Sequence, residues 1–349
     1  VGTPNLAIEE AEFAEAGLEA PSGRSLGFLS GLLQDPRAIV GMGILSFFAL
    51  MAIIGPFVAP YSPTAVNPLQ ASLSPSWHHF LGTSQLGVDV FSQLLVATRT
   101  SLLQAVLAGL TATVLACLIG LTAGYLGGWI DDGLSLFINV VLIIPTLPLL
   151  IVLATLARGS SIPTDVVDTL VIGCTAWPWG ARVLRSQMLS LRAKDYVLAA
   201  RVSGESWGRT VVEEILPNMT SLVVANFIGA TLFALLFQVA LEFLGLGDTT
   251  AASYGAMLYW AQQTDALLIG AWYWFVPVGL AVALFGTGLA LTNYTIDQLA
   301  NPRLRTVTGG RGKKRKSGAR AVPSDRNEPV TPVTGGLTDE PAITGRQAG

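Results

Sequence analysis

Two adjacent histidines, His78 and His79, are the only imidazoles in the chain, and neither has a Cys, Asp or Glu at the spacing a metal centre needs. They read as a surface pair in a loop. The two cysteines, Cys117 and Cys174, lie in separate apolar stretches and read as small packing residues, with no disulfide or metal role. Gly309 to Lys314 is glycine-rich and basic, but it lacks the spacing of a phosphate-binding loop and has no strand or helix pattern after it. ATP hydrolysis by this chain alone is therefore not expected, and no residue is assigned a catalytic or metal-binding role. Arg182, Arg185 and Glu242 are the main ionisable residues inside apolar runs, each near the end of its run. An ion-coupled carrier more often places a carboxylate or histidine at mid-membrane.

The elements that carry these residues are membrane elements. Of 349 residues, 51% are hydrophobic and only 12% are charged, against roughly a quarter charged in soluble domains. The charges sit mainly in the two tails and one central loop. A bilayer core needs roughly 20 apolar residues per helix, and six runs meet that length: Ile39 to Ala59, Ser101 to Tyr125, Leu134 to Ala157, Val166 to Leu189, Ser221 to Leu246 and Ala271 to Ile296. The fourth is interrupted by Trp177, Pro178, Trp179 and Arg182. The fold class expected is an all-α membrane protein of about six transmembrane helices.

With the N-terminus inside, Arg99 and Arg158 are the only two of the 20 Lys and Arg residues that fall outside, which places both termini in the cytoplasm. Residues 1–35 form an acidic tail unlike a signal peptide. Residues 36–300 form the transmembrane domain, and 301–349 a tail expected to be disordered, in which Arg311 to Lys316 anchors topology and meets anionic lipid. A net charge of −3 implies no nucleic-acid partner.

The loop 192–217 is polar yet reads as ordered. Asp195 to Val202 has helical character, Gly204 breaks it, and Glu205 to Leu216 forms a second short helix ended at Pro217. Ala199 and Ala200 offer a low surface for another protein to pack on. An ordinary connecting helix pair would show much the same pattern.

Several ordered blocks carry a resemblance. Ala199-Ala200, Gly204 and Ile215-Leu216-Pro217 resemble the "EAA" loop of bacterial ABC importer permeases, at the spacing of the dipeptide, oligopeptide and nickel group. Leu81-Gly82-Thr83-Ser84-Gln85-Leu86-Gly87-Val88-Asp89-Val90-Phe91-Ser92 is similar to that group's upstream signature, and Leu241 to Gly247 with Ser253-Tyr254-Gly255-Ala256-Met257-Leu258 to its downstream ones. The likeness spans residues 36 to 304. It departs at Leu198, Val88, Ser84 and Glu214, where the family has acidic, arginine, aspartate and basic residues respectively.

The resemblance implies a type I importer permease of the C-type. Such a chain pairs with a B-type permease, two ATPase domains that bind ATP and Mg, and an extracytoplasmic peptide-binding protein, in a bacterial inner membrane. It further implies that Glu205 to Arg209, including Ser206 and Trp207, begins a coupling helix. The chain itself needs no cofactor. Nickel or another small solute remains open as cargo, and so does a self-contained ion-coupled transporter or channel. Asn139, Asn226 and Gln238 are mid-span polar residues that either line a pathway or bond across helices. Trp177, Trp179, Tyr254, Trp260, Trp272, Tyr273 and Trp274 are expected at the membrane interface, and Glu242 and Asp248 as solvated loop charges.

Overall fold

A computed structural model describes residues 35–157 and 161–300. The acidic N-terminal stretch, Arg158 and the basic cluster 311–316 lie outside the described residues. The backbone forms α1 (Pro36–Val58), α2 (Val90–Leu126), α3 (Gly128–Ile143), α4 (Thr146–Ala157), α5 (Thr164–Leu191), α6 (Asp195–Val202), α7 (Trp207–Arg209), a π-helical turn (Thr210–Ile215), α8 (Leu216–Phe243), α9 (Tyr254–Gln263) and α10 (Val276–Ala300). No strand occurs among the described residues.

Four stretches are long and apolar enough to cross a bilayer: α1, α2, Trp207–Phe243 and Val276–Ile296. The expected third span is broken. Its halves, α3 and α4, meet at 91° across Ile144 and Pro145. Proline biases the residue before it toward extended backbone, and Ile144 is extended at φ −69 and ψ 125. Counted as one, the pair makes a fifth span. The sixth, α5, has 28 residues and sufficient length but fails on apolarity, because Asp165, Asp168, Arg182 and Arg185 lie along it. It nevertheless continues as one helix past Pro178.

α2 is the centre of the bundle, packed on α5 and α8, while α1 pairs with α10. Small residues make this possible. Without a hydrophobic drive between helices in lipid, association rests on close van der Waals approach. Ala97, Ser101, Ala105, Gly109, Thr113, Gly120 and Gly124 form that approach surface along α2. A Cβ on Gly120 would lie 2.5 Å from the Ala181 carbonyl oxygen of α5. Facing residues show the directions: Thr113 meets Asn226 while Gln104 meets Gln238, so α2 and α8 are antiparallel. Gly120 faces Ala181 and Gly124 faces Met188, so α2 and α5 run the same way. The outward face of α1 is apolar, with Phe47, Leu50, Ile53 and Phe57 exposed as a lipid-facing surface requires.

These directions gather the functional candidates at two opposite ends. One holds the loop 192–217 with the C-terminus of α2. The other holds the α1–α2 connection and α9.

Candidate functional site

At the loop end, the fold answers the polar sequence with specific ties. Arg192 Nη1 donates to the Gly124 carbonyl at 2.9 Å, satisfying one of the carbonyls that a helix leaves unpaired at its C-terminus. Arg201 Nε donates to Tyr125 Oη at 3.2 Å, and its guanidinium lies 4.5 Å from the centre of the same ring. Val197, on the inner face of α6, is fully buried against a cluster that includes Tyr125, Met188, Val211 and Ile215.

Ala200 and Gly204 act together. Glu205 N donates to Ala200 O at 3.2 Å and Gly204 N to Arg201 O at 3.1 Å, the paired bonds of a Schellman termination. Gly204 has φ +80, a conformation open to glycine and costly for residues with a Cβ. Ser206 then opens α7, its carbonyl accepting from Thr210 N at 3.0 Å.

The second helix does not stop at Pro217. The chain passes through the π-helical turn Thr210–Ile215 and continues as α8, with Pro217 in its first turn. Proline is harmless there as a helix position. It has no N–H for the carbonyl four residues back, and the ladder slips to a five-residue step, Leu216 N to Val211 O, just before it.

Beside the charged Lys194, Asp195, Arg201, Arg209 and Glu213, these ties leave a set of apolar side chains facing outward. Val202 is 89% exposed, Val212 60%, Trp207 54% and Leu198 46%, and Ala199, Ser203, Gly204 and Ser206 are exposed beside them. Ala200 and Glu205 are half-buried, Ile215 is buried and Pro217 is exposed. One carboxylate oxygen of Glu205 is shielded from solvent without a hydrogen-bond partner.

Behind the loop, α3 and α5 are locked by a bidentate pair, Arg185 Nε and Nη2 to the two Asp131 oxygens at 2.5 and 2.8 Å. Arg182 Nη2 donates to Asn139 Oδ1 at 2.8 Å. Of the charges that lower the apolarity of α5, Arg185 is thus ion-paired within the protein, and Arg182, itself exposed, bonds a neutral amide.

The three polar mid-span candidates are not brought together. Asn226 lines a cleft of about 560 Å³ between the α3–α4 bend, α5 and α8, walled by Thr146, Pro178, Trp179 and Phe233. Its Nδ2 donates to Thr113 Oγ1 at 3.3 Å. Asn139 is held by Arg182. Gln238 lies at the far end, 2% exposed, bonded to Gln104 and Glu242.

At that far end the structure corrects several expectations. Glu242 is no solvated charge: it is 4% exposed and accepts from Ser253 Oγ at 2.7 Å, Gly255 N at 3.1 Å and Gln238 Nε2 at 3.1 Å. The chain turns back at Gly245 and lays the start of α9 over this carboxylate. Tyr254 is wholly buried, its N–H donating to Ser101 Oγ at 3.0 Å and its hydroxyl 2.7 Å from Thr98 Oγ1. Burial pushes its phenol up to about 12. Asp248 lies half-buried in the turn after α8, where the Thr250 hydroxyl holds its carboxyl below the ordinary value.

His79 is likewise not a surface residue. It is 5% exposed, with Nδ1 2.8 Å from Asp89 Oδ1. The other Asp89 oxygen caps α2 through Ser92 N and Oγ at 2.8 and 2.7 Å. Of the seven aromatics expected at the interface, Trp177, Tyr254, Tyr273 and Trp274 are buried packing residues, and Trp179, Trp260 and Trp272 are exposed. Cys174 is exposed on α5 and does not pack in the core.

Sequence reasoning missed Tyr125, the anchor of Arg201, since one tyrosine at the end of an apolar run carries no signal. Asp89 was legible only as part of a motif, and its partner only once folded.

A helical protein with several apolar spans, a braced loop presenting apolar side chains at one end and a capped helix at the other is a multi-pass membrane component built to work with other proteins. The comparisons make the class specific. The profile of the family described as "Binding-protein-dependent transport system inner membrane component" matches residues 116–306, and "N-terminal TM domain of oligopeptide transport permease C" matches residues 28–75. A putative peptide permease protein of Brucella suis is 33% identical over 264 residues, covering 74% of this chain and 86% of the relative. The dipeptide transport system permease protein DppC of Bacillus subtilis is 30% identical over 275 residues, covering 78% and 84%. The nickel transport system permease protein NikC of Escherichia coli K12 is 33% identical over 270 residues, covering 76% and 89%. The chain belongs to the ABC importer permeases, in the dipeptide, oligopeptide and nickel group with its C-type subunits, and has their type I permease fold.

Proposed function

We propose that the chain forms half of the translocation pathway of an ATP-driven importer of dipeptides or oligopeptides delivered by an extracytoplasmic binding protein. Its partners in this reading are a B-type permease and two ATPase domains that bind ATP and Mg. The loop end faces the cytoplasm, as do both termini, in a bacterial inner membrane. The observation that carries the reading is the set of exposed apolar side chains on the loop. Val202, Trp207 and Val212 stand out from a backbone tied down by Arg192, Arg201 and Val197. Exposed apolar groups clustered on an ordered loop mark a protein-binding surface.

The mechanism follows from the connections. α5 enters the loop and α8 leaves it, and both wall the cleft at Asn226. ATP-driven closure of the partner domains displaces α6 and α7, the π-helical turn takes up the strain, and α5 and α8 re-tilt about the cleft. Peptide cargo is supported by the names of the Brucella and Bacillus relatives. Nickel is a second reading, supported by the Escherichia coli relative at similar identity.

Affinity purification of the tagged chain from membranes in mild detergent, with mass spectrometry and an ATPase assay, tests the proposal. A second permease and an ATPase co-purifying with nucleotide hydrolysis are expected. A lone chain indifferent to ATP overturns it.

A further inference from the structure

The end of the molecule opposite the loop carries a second concavity. It has a volume of about 220 Å³ and lies between the α1–α2 connection, the turn after α8, and α9. Trp260 and Trp274 contribute to its wall, with Thr64, Ser84, Gln93 and Thr264 around them. Both indole N–H groups are already committed, Trp274 to Thr83 O at 2.8 Å and Trp260 to Thr249 O at 2.9 Å. Thr264 Oγ1 donates to Trp260 O at 2.7 Å, and Thr250 Oγ1 to Asp248 at 2.6 Å. The rest of the lining is apolar, from Pro63, Val66, Leu86, Val88, Val90 and Met257, with a few amide and hydroxyl groups. No Asp, Glu, Lys or Arg lines the space.

That chemistry selects the occupant. A free peptide carries an ammonium and a carboxylate, and burying either without a countercharge is costly. The volume is also smaller than the roughly 300–1,000 Å³ of small-molecule sites. It suits one large uncharged side chain presented on a protein surface. The rim continues the same character, with Val66 57% and Leu86 40% exposed.

We infer that this pocket receives a single apolar or aromatic side chain of the extracytoplasmic binding protein, and that its filling is the contact by which delivery is sensed. The inference rests on the importer reading above. The wall that would feel the occupant is α9, and α9 does not move alone. Tyr254 fastens its first turn to α2 through Ser101 and Thr98, and Ser253 and Gly255 fasten it to Glu242 of α8. α8 then runs without a break to the π-helical turn at the loop end. A displacement of α9 by the inserted side chain is therefore delivered to α2 and α8, and α8, which lines the cleft, carries it on to the coupling loop.

The test fills the pocket after folding. In a background with Cys117 and Cys174 replaced by serine, Thr264→Cys is purified as the whole complex and labelled with a cyclohexyl maleimide. Ser62→Cys, exposed on the same face and outside the pocket, is labelled as control. Affinity for the purified, cargo-loaded binding protein and its stimulation of ATP hydrolysis are measured with and without label.

At least about tenfold weaker binding at Thr264, as expected when the pocket of a hot-spot side chain is blocked, together with lost stimulation and an unaffected control, supports the inference. Equal binding by labelled and unlabelled Thr264→Cys overturns it. So does protection of the introduced thiol by millimolar free dipeptide without binding protein, which assigns the pocket to cargo. If the unlabelled complex contains no ATPase, the importer reading itself falls, a result distinguishable from the others by the composition of the sample.

Discussion

The tie between Arg201 and Tyr125 sets how firmly the loop is held, and its worth follows from its geometry. Arg201→Ala removes a hydrogen bond at 3.2 Å, worth about 1 kcal/mol net. It also removes a guanidinium 4.5 Å from the ring centre, worth about 0.5–1 kcal/mol at an exposed site. Together these make about 1.5–2 kcal/mol, or roughly a 10- to 30-fold shift in the equilibrium between held and released α6. Tyr125→Phe deletes the hydroxyl and keeps the ring, so it costs about 1 kcal/mol, roughly a fivefold shift. The double variant should cost less than the sum, because each single change already breaks the shared bond.

Hydrogen exchange of the purified complex reads this directly. Amides of residues 195–204 should exchange roughly 10- to 30-fold faster in Arg201→Ala, while those of α1 stay unchanged. Cargo transported per ATP should fall in the same order across the series. Exchange within twofold of the parent chain, or strict additivity in the cycle, would refute the idea that this contact fixes the loop.

Gly204→Pro forces φ from +80 toward about −65 and removes the N–H bonded to Arg201 O, so transport should be uncoupled from hydrolysis with membrane insertion intact; normal uptake rejects the loop's role. Gly204→Ala should be milder, about 1–2 kcal/mol of loop stability by denaturant titration. Glu242→Ala strands three buried donors and should cost about 3–5 kcal/mol, seen as a sharply lower melting temperature of the complex, with Glu242→Gln well below that loss. Asn226→Leu separates two roles: a cleft-lining residue lowers uptake at unchanged complex yield, whereas a purely interhelical bond costs only about 0.6 kcal/mol and leaves uptake alone.

The bundle was readable from apolar length because every backbone group in a bilayer must be satisfied within its own helix. Where polar groups found partners in the protein, length and polarity misled. α2 begins at Val90, eleven residues before the expected Ser101, because Asp89 caps it outside the apolar run. α5 reads as weak because Trp177, Pro178, Trp179 and Arg182 interrupt it, although Trp177 and Pro178 are buried in the bundle and Asn139 engages Arg182. His79 and Glu242 were misplaced for the same reason, since their burial depends on partners distant in sequence or on a returning turn. Within the loop, the break at Gly204 was legible because a helix stop has local chemistry. The exposed set Leu198, Val202, Trp207 and Val212 was not, because only the folded turn decides which side chains face out.

The central claim is that this exposed set meets an ATPase subunit. A photo-crosslinking amino acid at Val202, 89% exposed at the loop tip, is compared with the same probe at Phe57, 83% exposed on the apolar face of α1. The account predicts that irradiated membranes give an ATPase adduct from Val202 and lipid adducts from Phe57. Lipid adducts alone from both positions would contradict it.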